Sequence, residues 1–197
     1  MLRPYLARHG LPALAAAVAQ DGRIVAAGAV GTRRAGTDAP VTVEDRFHIG
    51  SDTKAMTSLV AGMLVEEGRL RWDSAVGEVF PELAGRMDAG LRGVTLQQLL
   101  SHTSGIPSDN EAFIKLIEQS FAQDSLNLDE LRLWLVREWS AQPLQSPPGT
   151  RFAYANMGYT LAGAMLERAA RTTWEELVVA RVFDPLGLRS AGFRAAV

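Results

Sequence analysis

Ser51 and Lys54 stand three residues apart at the head of an apolar stretch, and together they could do covalent chemistry. On a helix the residue three positions on lies on the same face, so Ser51 Oγ and Lys54 Nζ can come within hydrogen-bond reach. That sets a nucleophile beside a candidate base. A helix start adds unpaired N–H groups and the positive end of the helix dipole, both of which favour negative charge developing at Ser51. Composition sharpens the choice of lysine, because of 20 basic residues only Lys54 and Lys115 are lysines. Arginine is the ordinary cation of this chain; a lysine can be desolvated until it releases its proton and acts as a base, which an arginine cannot. Ser-x-x-Lys alone is a weak motif. It fits equally a plain N-cap serine followed by an exposed helix lysine, and taken by itself that plainer reading is the stronger.

Tyr154-Ala155-Asn156 places a phenol and an amide on a short extended stretch ahead of a helix, between the Pro148-Gly149 turn and Gly158. A phenol held beside a lysine cation has its anionic form favoured, so Tyr154 could take a proton from Ser51 and return it to a leaving group. Asn156, with both a donor and an acceptor, could fix Lys54 and orient a substrate amide or ester carbonyl.

These groups need elements to hold them. The run 55–67 has Ala55, Met56, Leu59, Val60, Met63 and Leu64 at mixed i+3/i+4 spacing and stops at Gly68, which predicts a helix buried at the centre of the molecule. Residues 13–20 and 23–30 are strand-like runs joined by Asp21-Gly22, the type I′ signal of a β-hairpin. Residues 31–43 form a polar connection back to Phe47, and a short helix over 74–80 ends at Pro81. Thr95 and Gln98 make a capping box for a helix through Leu100, and Thr173 and Glu176 make another for a helix ending near Asp184-Pro185. Helices are also expected over 111–121, 128–140 and 157–170, the second with Leu128, Leu131, Leu135 and Trp139 on its apolar face. The segment 142–149, with three prolines, reads as an extended surface loop.

At 197 residues and 47% hydrophobic content the chain can bury a proper core. A net charge of -2, with acidic and basic residues interspersed, gives no basic stripe and argues against a nucleic-acid partner. The absence of cysteine excludes disulfides, thiolate metal sites and cysteine nucleophiles. His9, His48 and His102 have no metal-ligand spacing, so neither metal nor cofactor is expected. Gly-x-Ser-x-Gly is missing around Ser51, which counts against an α/β-hydrolase, and the Thr-Ser-Gly surroundings of His102 read as structural rather than as part of a triad. Trp72, Trp134, Trp139 and Trp174 read as core or lobe-interface residues rather than a ligand box. No membrane span is expected, and the apolar run 14–19 is too short for a signal segment; the expected location is cytoplasmic, or periplasmic or secreted if a signal has been removed.

Taken together, the motifs resemble the serine β-lactamase and penicillin-binding-protein-like hydrolases, in particular the class C β-lactamase, D-alanyl-D-alanine peptidase and class VIII esterase branch. The resemblance is carried by Phe47-His48-Ile49-Gly50-Ser51-Asp52-Thr53-Lys54, Leu64-Val65-Glu66-Glu67-Gly68-Arg69-Leu70, Leu99-Leu100-Ser101-His102-Thr103-Ser104-Gly105, Pro148-Gly149-Thr150 through Tyr159, and Phe183-Asp184-Pro185-Leu186-Gly187. It implies Ser51 as acylated nucleophile, Lys54 as its activator, Tyr154 as proton shuttle and Asn156 as a substrate-orienting hydrogen-bonder. It also implies a small-molecule substrate: an ester, a β-lactam or a D-amino-acid amide. The implied fold is α+β, β-lactamase/transpeptidase-like: a single domain over 1–197 with a sheet-side lobe (1–68 and 157–197) and a mostly helical lobe (69–156). One departure stands out. The family's third motif, Lys-Thr-Gly or His-x-Gly on a later strand, has no counterpart, since neither Lys nor His follows Asn156. The expectation is therefore an N-terminal hairpin without the family's C-terminal strands, with an exposed sheet edge open to self-association or to a complementing chain. A catalytically incompetent truncated homologue or fragment that acts by binding a partner or ligand is the competing reading.

Overall fold

The computed structural model describes residues 1–193. Residues 194–197, the end of the expected sheet-side lobe, lie outside the described residues. The structure divides into two units, Met1–His48 and Ile49–Phe193.

The first unit opens with α1 (Arg3–His9), a helix not expected from the sequence. Pro4 sits in its first turn, where a missing N–H costs nothing, and Gly10 ends it in the left-handed conformation at φ 61°. Strands β1 (Ala13–Gln20) and β2 (Arg23–Gly31) pair antiparallel. Asp21 (φ 49°) and Gly22 (φ 74°) supply the two positive φ angles that a type I′ turn requires, so the expected hairpin is found to within one residue. Its register shifts at Val18/Ala19, a β-bulge that bends the ribbon. Among the described residues these two strands are the whole sheet. Val18, Ile24 and Val25 are exposed on it. The connection that follows is held by an ion pair between Arg33 and Asp45 at 2.9 Å.

The second unit is helical. It contains α2 (Thr53–Glu66), α3 (Val76–Val79), α4 (Ala89–Arg92), α5 (Leu96–Leu100), α6 (Glu111–Ser120), α7 (Leu128–Trp139), α8 (Asn156–Ala170), α9 (Trp174–Val178) and α10 (Asp184–Leu186), the last two joined by a π-helical turn, Val179–Phe183. Both expected capping boxes form: Thr95 Oγ1 accepts from Gln98 N–H while Gln98 Oε1 accepts from Thr95 N–H, and Thr173 and Glu176 do the same. A third, Asn127 with Glu130, starts α7.

The centre of this unit is α8 rather than α2. α8 buries Met157, Gly158 and everything from Leu161 to Leu166, and packs against α2, α5 and α7. Gly158 permits the close approach to α5, since a Cβ there would stand 3.4 Å from the Leu99 carbonyl oxygen. The sequence reading expected α2 to be the buried helix. It is buried on one face only, through Thr57, Val60, Ala61 and Leu64, while Leu59 is 47% exposed. The expected apolar face of α7 is met in part, since Trp139 is buried and Leu135 packs against the core. Leu128 is exposed, and the inward stripe runs Arg132, Val136, Trp139, because Arg132 reaches across to Glu167 on α8 and to Glu175 on α9. Burial of Trp139, Phe80, Leu64, Leu161 and Leu166 contributes about 1.5–3 kcal/mol each to holding the helices together.

Candidate active site

Ser51 lies in a single 3₁₀ turn, Gly50–Asp52, that runs directly into α2, and Lys54 lies one turn on in α2 itself. Gly50 enters that turn at φ 52°, a left-handed conformation that a side chain would strain. Lys54 Nζ donates to Ser51 Oγ at 3.1 Å. Tyr154 arrives from the other side, with its hydroxyl 2.6 Å from Ser51 Oγ. Lys54 Nζ also donates to Asn156 Oδ1 at 2.7 Å and stands 4.8 Å from the centre of the Tyr154 ring. The four residues singled out in the sequence thus form one connected network, all within the second unit. Ser51 is exposed, Tyr154 is 39% exposed and Lys54 is half-buried, so a small molecule can reach the hydroxyl from solvent.

The Lys54 side chain, followed by the Ser51 hydroxyl, draws the Tyr154 phenol below its ordinary pKa. This is the direction a proton acceptor needs.

Two segments fix Tyr154 and Asn156. The turn after α5 binds the chain leading to Tyr154: Gln145 N–H donates to Gly105 C=O (2.8 Å), Gly149 N–H to Thr103 C=O (2.7 Å) and Ala153 N–H to His102 C=O (2.8 Å). Gly105 is required here, because a Cβ would fall 2.1 Å from the Ser146 carbonyl oxygen and its φ is 80°. Asn156, the first residue of α8, is held by Asp109, which accepts from its backbone N–H at 3.3 Å and from its side-chain Nδ2 at 2.5 Å. A carboxylate only accepts and a lysine only donates, so the amide orientation is fixed by its two partners. Asn156 therefore turns its oxygen to Lys54, while its nitrogen is engaged by Asp109.

Asp109, His102, Tyr159 and Ser58 were not singled out as site residues by sequence. Tyr159 Oη donates to Leu100 C=O at 2.8 Å and lies 3.1 Å from Ser58 Oγ, so its single proton is spent and Ser58 is the donor of that pair. This ties α2, α5 and α8 together directly behind Lys54, whose Nζ is 5.4 Å from the Tyr159 ring centre. The signal available in the sequence was i+4 spacing: Ser58 follows Lys54 on α2 as a same-face polar residue. Nothing in the local sequence marks Asp109, which reaches Asn156 across 47 positions. Among the described residues no three His, Asp or Glu side chains gather as a metal site, and no helix is long and apolar enough to cross a membrane.

The family profile for beta-lactamase matches residues 1–197. The chain belongs to the beta-lactamase family. Among its beta-lactamase-family relatives, penicillin-binding protein 4 of Amycolatopsis lactamdurans is 32% identical over 183 residues, 93% of this chain and 45% of the relative. A lovastatin esterase of Penicillium rubens is 30% identical over 175 residues, 82% of this chain and 43% of the relative. Of solved structures, the octameric penicillin-binding protein homologue from Pyrococcus abyssi superposes with a TM-score of 0.75 at 29% identity, over 95% of this chain and 42% of that one. A D-stereospecific amidohydrolase from Streptomyces gives 0.68 at 30% identity, over 90% of this chain and 50% of that one. The chain thus spans half or less of the length of these relatives. Their names speak of penicillin binding, of a lovastatin esterase and of a D-stereospecific amidohydrolase, and so of small molecules in each case.

Proposed function

We propose that this chain carries the acylation machinery of a serine hydrolase that forms an acyl-enzyme at Ser51 on a small ester, β-lactam or D-amino-acid amide. The observation that carries the reading is Ser51 Oγ lying 2.6 Å from the Tyr154 hydroxyl and 3.1 Å from Lys54 Nζ. In the reaction, Ser51 Oγ attacks the carbonyl carbon as its proton passes to the Tyr154 phenolate. The tetrahedral intermediate collapses, the bond to the leaving oxygen or nitrogen breaks, and Tyr154 returns the proton to that atom. Water then attacks the ester at Ser51, and the carboxylic acid leaves. Lys54, beside both oxygens, takes the phenol proton to form that phenolate and then supplies positive charge as the ammonium, and Asn156 holds Lys54 in place.

Incubation with a fluorophosphonate, and separately with a penicillin, followed by intact-mass and peptide analysis tests this. An adduct on Ser51 that is lost in Ser51→Ala is expected. No adduct with either probe would leave the chain a ligand- or partner-binding homologue without turnover.

The same reading has the chain associate with a second copy through the hairpin. The outer edges of β1 and β2 carry no strand partner among the described residues, Val18, Ile24 and Val25 are 56%, 71% and 58% exposed, and one relative is octameric. Sedimentation should show a dimer or larger species that a Val18→Lys, Ile24→Lys double variant dissociates; a clean monomer would dismiss it.

A further inference from the structure

His102 lies outside the hydrogen-bond network that reaches Ser51, yet it grips Tyr154 from both sides. Its carbonyl oxygen accepts from Ala153 N–H at 2.8 Å. Its Nδ1 accepts from Ala155 N–H at 3.2 Å. The residues before and after Tyr154 are therefore tied to one residue, and the imidazole lies against the phenol, ring centres 4.4 Å apart and planes tilted by 34°. Such an arrangement needs an unusual backbone. His102 is one of three non-glycine residues with positive φ among the described residues, at 58°, and this left-handed conformation turns its carbonyl and its ring toward the same stretch of chain. It is only 9% exposed, and Ala155 only 1%, so the Ala155 N–H has no access to water as a substitute partner.

From this geometry we infer that His102 is the positioning residue of the Tyr154 phenol: it serves as a neutral imidazole, protonated on Nε2, whose Nδ1 acceptor sets the distance between Tyr154 and Ser51. The inference rests on the reading of Tyr154 as proton shuttle. A protonated ring would turn a second N–H toward Ala155 N–H and break the clamp. Burial first, and the nearby Lys54 charge second, hold the imidazole pKa below its ordinary value, which keeps the acceptor available. The titratable groups beside the ring are Tyr154, Tyr159 and Lys54; none is a carboxylate that would favour the charged form. His102 touches no reacting atom, so its effect is exerted through the phenol.

The test uses His102→Asn and His102→Leu in the full chain. Asparagine tolerates a left-handed backbone and offers Oδ1 in place of Nδ1; leucine fills space and accepts nothing. Two readouts are taken on folded protein: the Tyr154 phenol titration by ultraviolet difference, with Tyr154→Phe as blank, and the rate of Ser51 phosphonylation. His102→Leu is expected to move the phenol titration upward toward its ordinary value and to slow phosphonylation by about tenfold or more, with His102→Asn within about threefold of wild type. A folded His102→Leu with unchanged titration would overturn the inference, as would an asparagine variant as impaired as the leucine one. Should neither variant fold, nitrogen NMR of the wild-type histidines decides it: His102 with its proton on Nδ1 would refute the clamp. Wild-type protein that never phosphonylates would overturn the hydrolase reading instead, and the phenol titration and the nitrogen spectrum would still decide where His102 holds Tyr154.

Discussion

Lys54→Arg separates charge from proton chemistry at the centre of the network. Lys54 Nζ lies 3.1 Å from Ser51 Oγ, 2.7 Å from Asn156 Oδ1, 4.8 Å from the centre of the Tyr154 ring and 5.4 Å from that of Tyr159. A guanidinium can restore the second and third, since both ask only for a cation with N–H donors. It cannot exchange a proton with Ser51 or Tyr154. A positioned acid–base group contributes about 10²–10⁴ in rate, equivalent to about 2.7–5.5 kcal/mol of barrier. The fold should lose far less, about 1 kcal/mol, because Lys54 is half-buried and the variant keeps its charge. The assay is the rate of Ser51 phosphonylation under excess probe, read by intact mass, beside a urea melt. Lys54→Met is the control that removes charge and proton together. Arginine and methionine variants that are equally slow, in an intact fold, are expected. An arginine variant that labels at the wild-type rate while the methionine variant fails would refute the reasoning and make Lys54 a structural cation.

Phosphonylation should rise with pH through a titration whose midpoint lies below the ordinary phenol value, because Lys54 and Ser51 favour the Tyr154 anion, and Tyr154→Phe should flatten that limb of the profile. Asp109→Ala frees the Asn156 amide to rotate and should slow labelling by about tenfold with little change in the melt, Asp109 being exposed; Asp109→Asn should recover part of the rate. Arg132→Ala removes the shared partner of Glu167 and Glu175 from a site where all three side chains are under one-fifth exposed, and should cost about 2–4 kcal/mol in urea unfolding at neutral pH. Burial already raises the Glu167 pKa, so stability is fullest below the unfolded carboxyl value and is lost as pH rises through the folded one; the Arg132→Ala penalty should therefore be smaller near pH 4 than at pH 7, a difference that urea melts at the two pH values measure.

Short-range chemistry was what the sequence made legible. Asp21-Gly22 specified the hairpin, Thr95 with Gln98 and Thr173 with Glu176 specified two helix starts, and Ser51 with Lys54 specified half of the site, each within four positions. Contacts set by packing were not legible. Whether α2 or α8 is central depends on which helix has neighbours on every side, and both sequences are apolar enough for the part. The inward face of α7 follows Arg132, an ion-pairing residue that hydrophobic periodicity counts as polar. Asp109 and His102 act on Asn156 and Tyr154 through partners 47 and 53 positions away, and no local spacing rule carries that distance. α1 was missed because its seven residues hold few apolar side chains to mark a face.

Ser51 and Lys54 can meet as soon as one turn of helix forms, whereas Ser51 and Tyr154 are 103 positions apart along the chain. Closing a loop of that length rather than one of three residues costs about 3 kcal/mol more in chain entropy. The Ser51–Lys54 pair can therefore form well before Tyr154 reaches it during folding, and the two join only when α8 docks on α2. The same asymmetry holds in the folded state. Any opening that lifts α8 from α2 separates the hydroxyl from the phenol while leaving each helix intact, so reactivity at Ser51 reports on one tertiary docking event that helix content alone would not register.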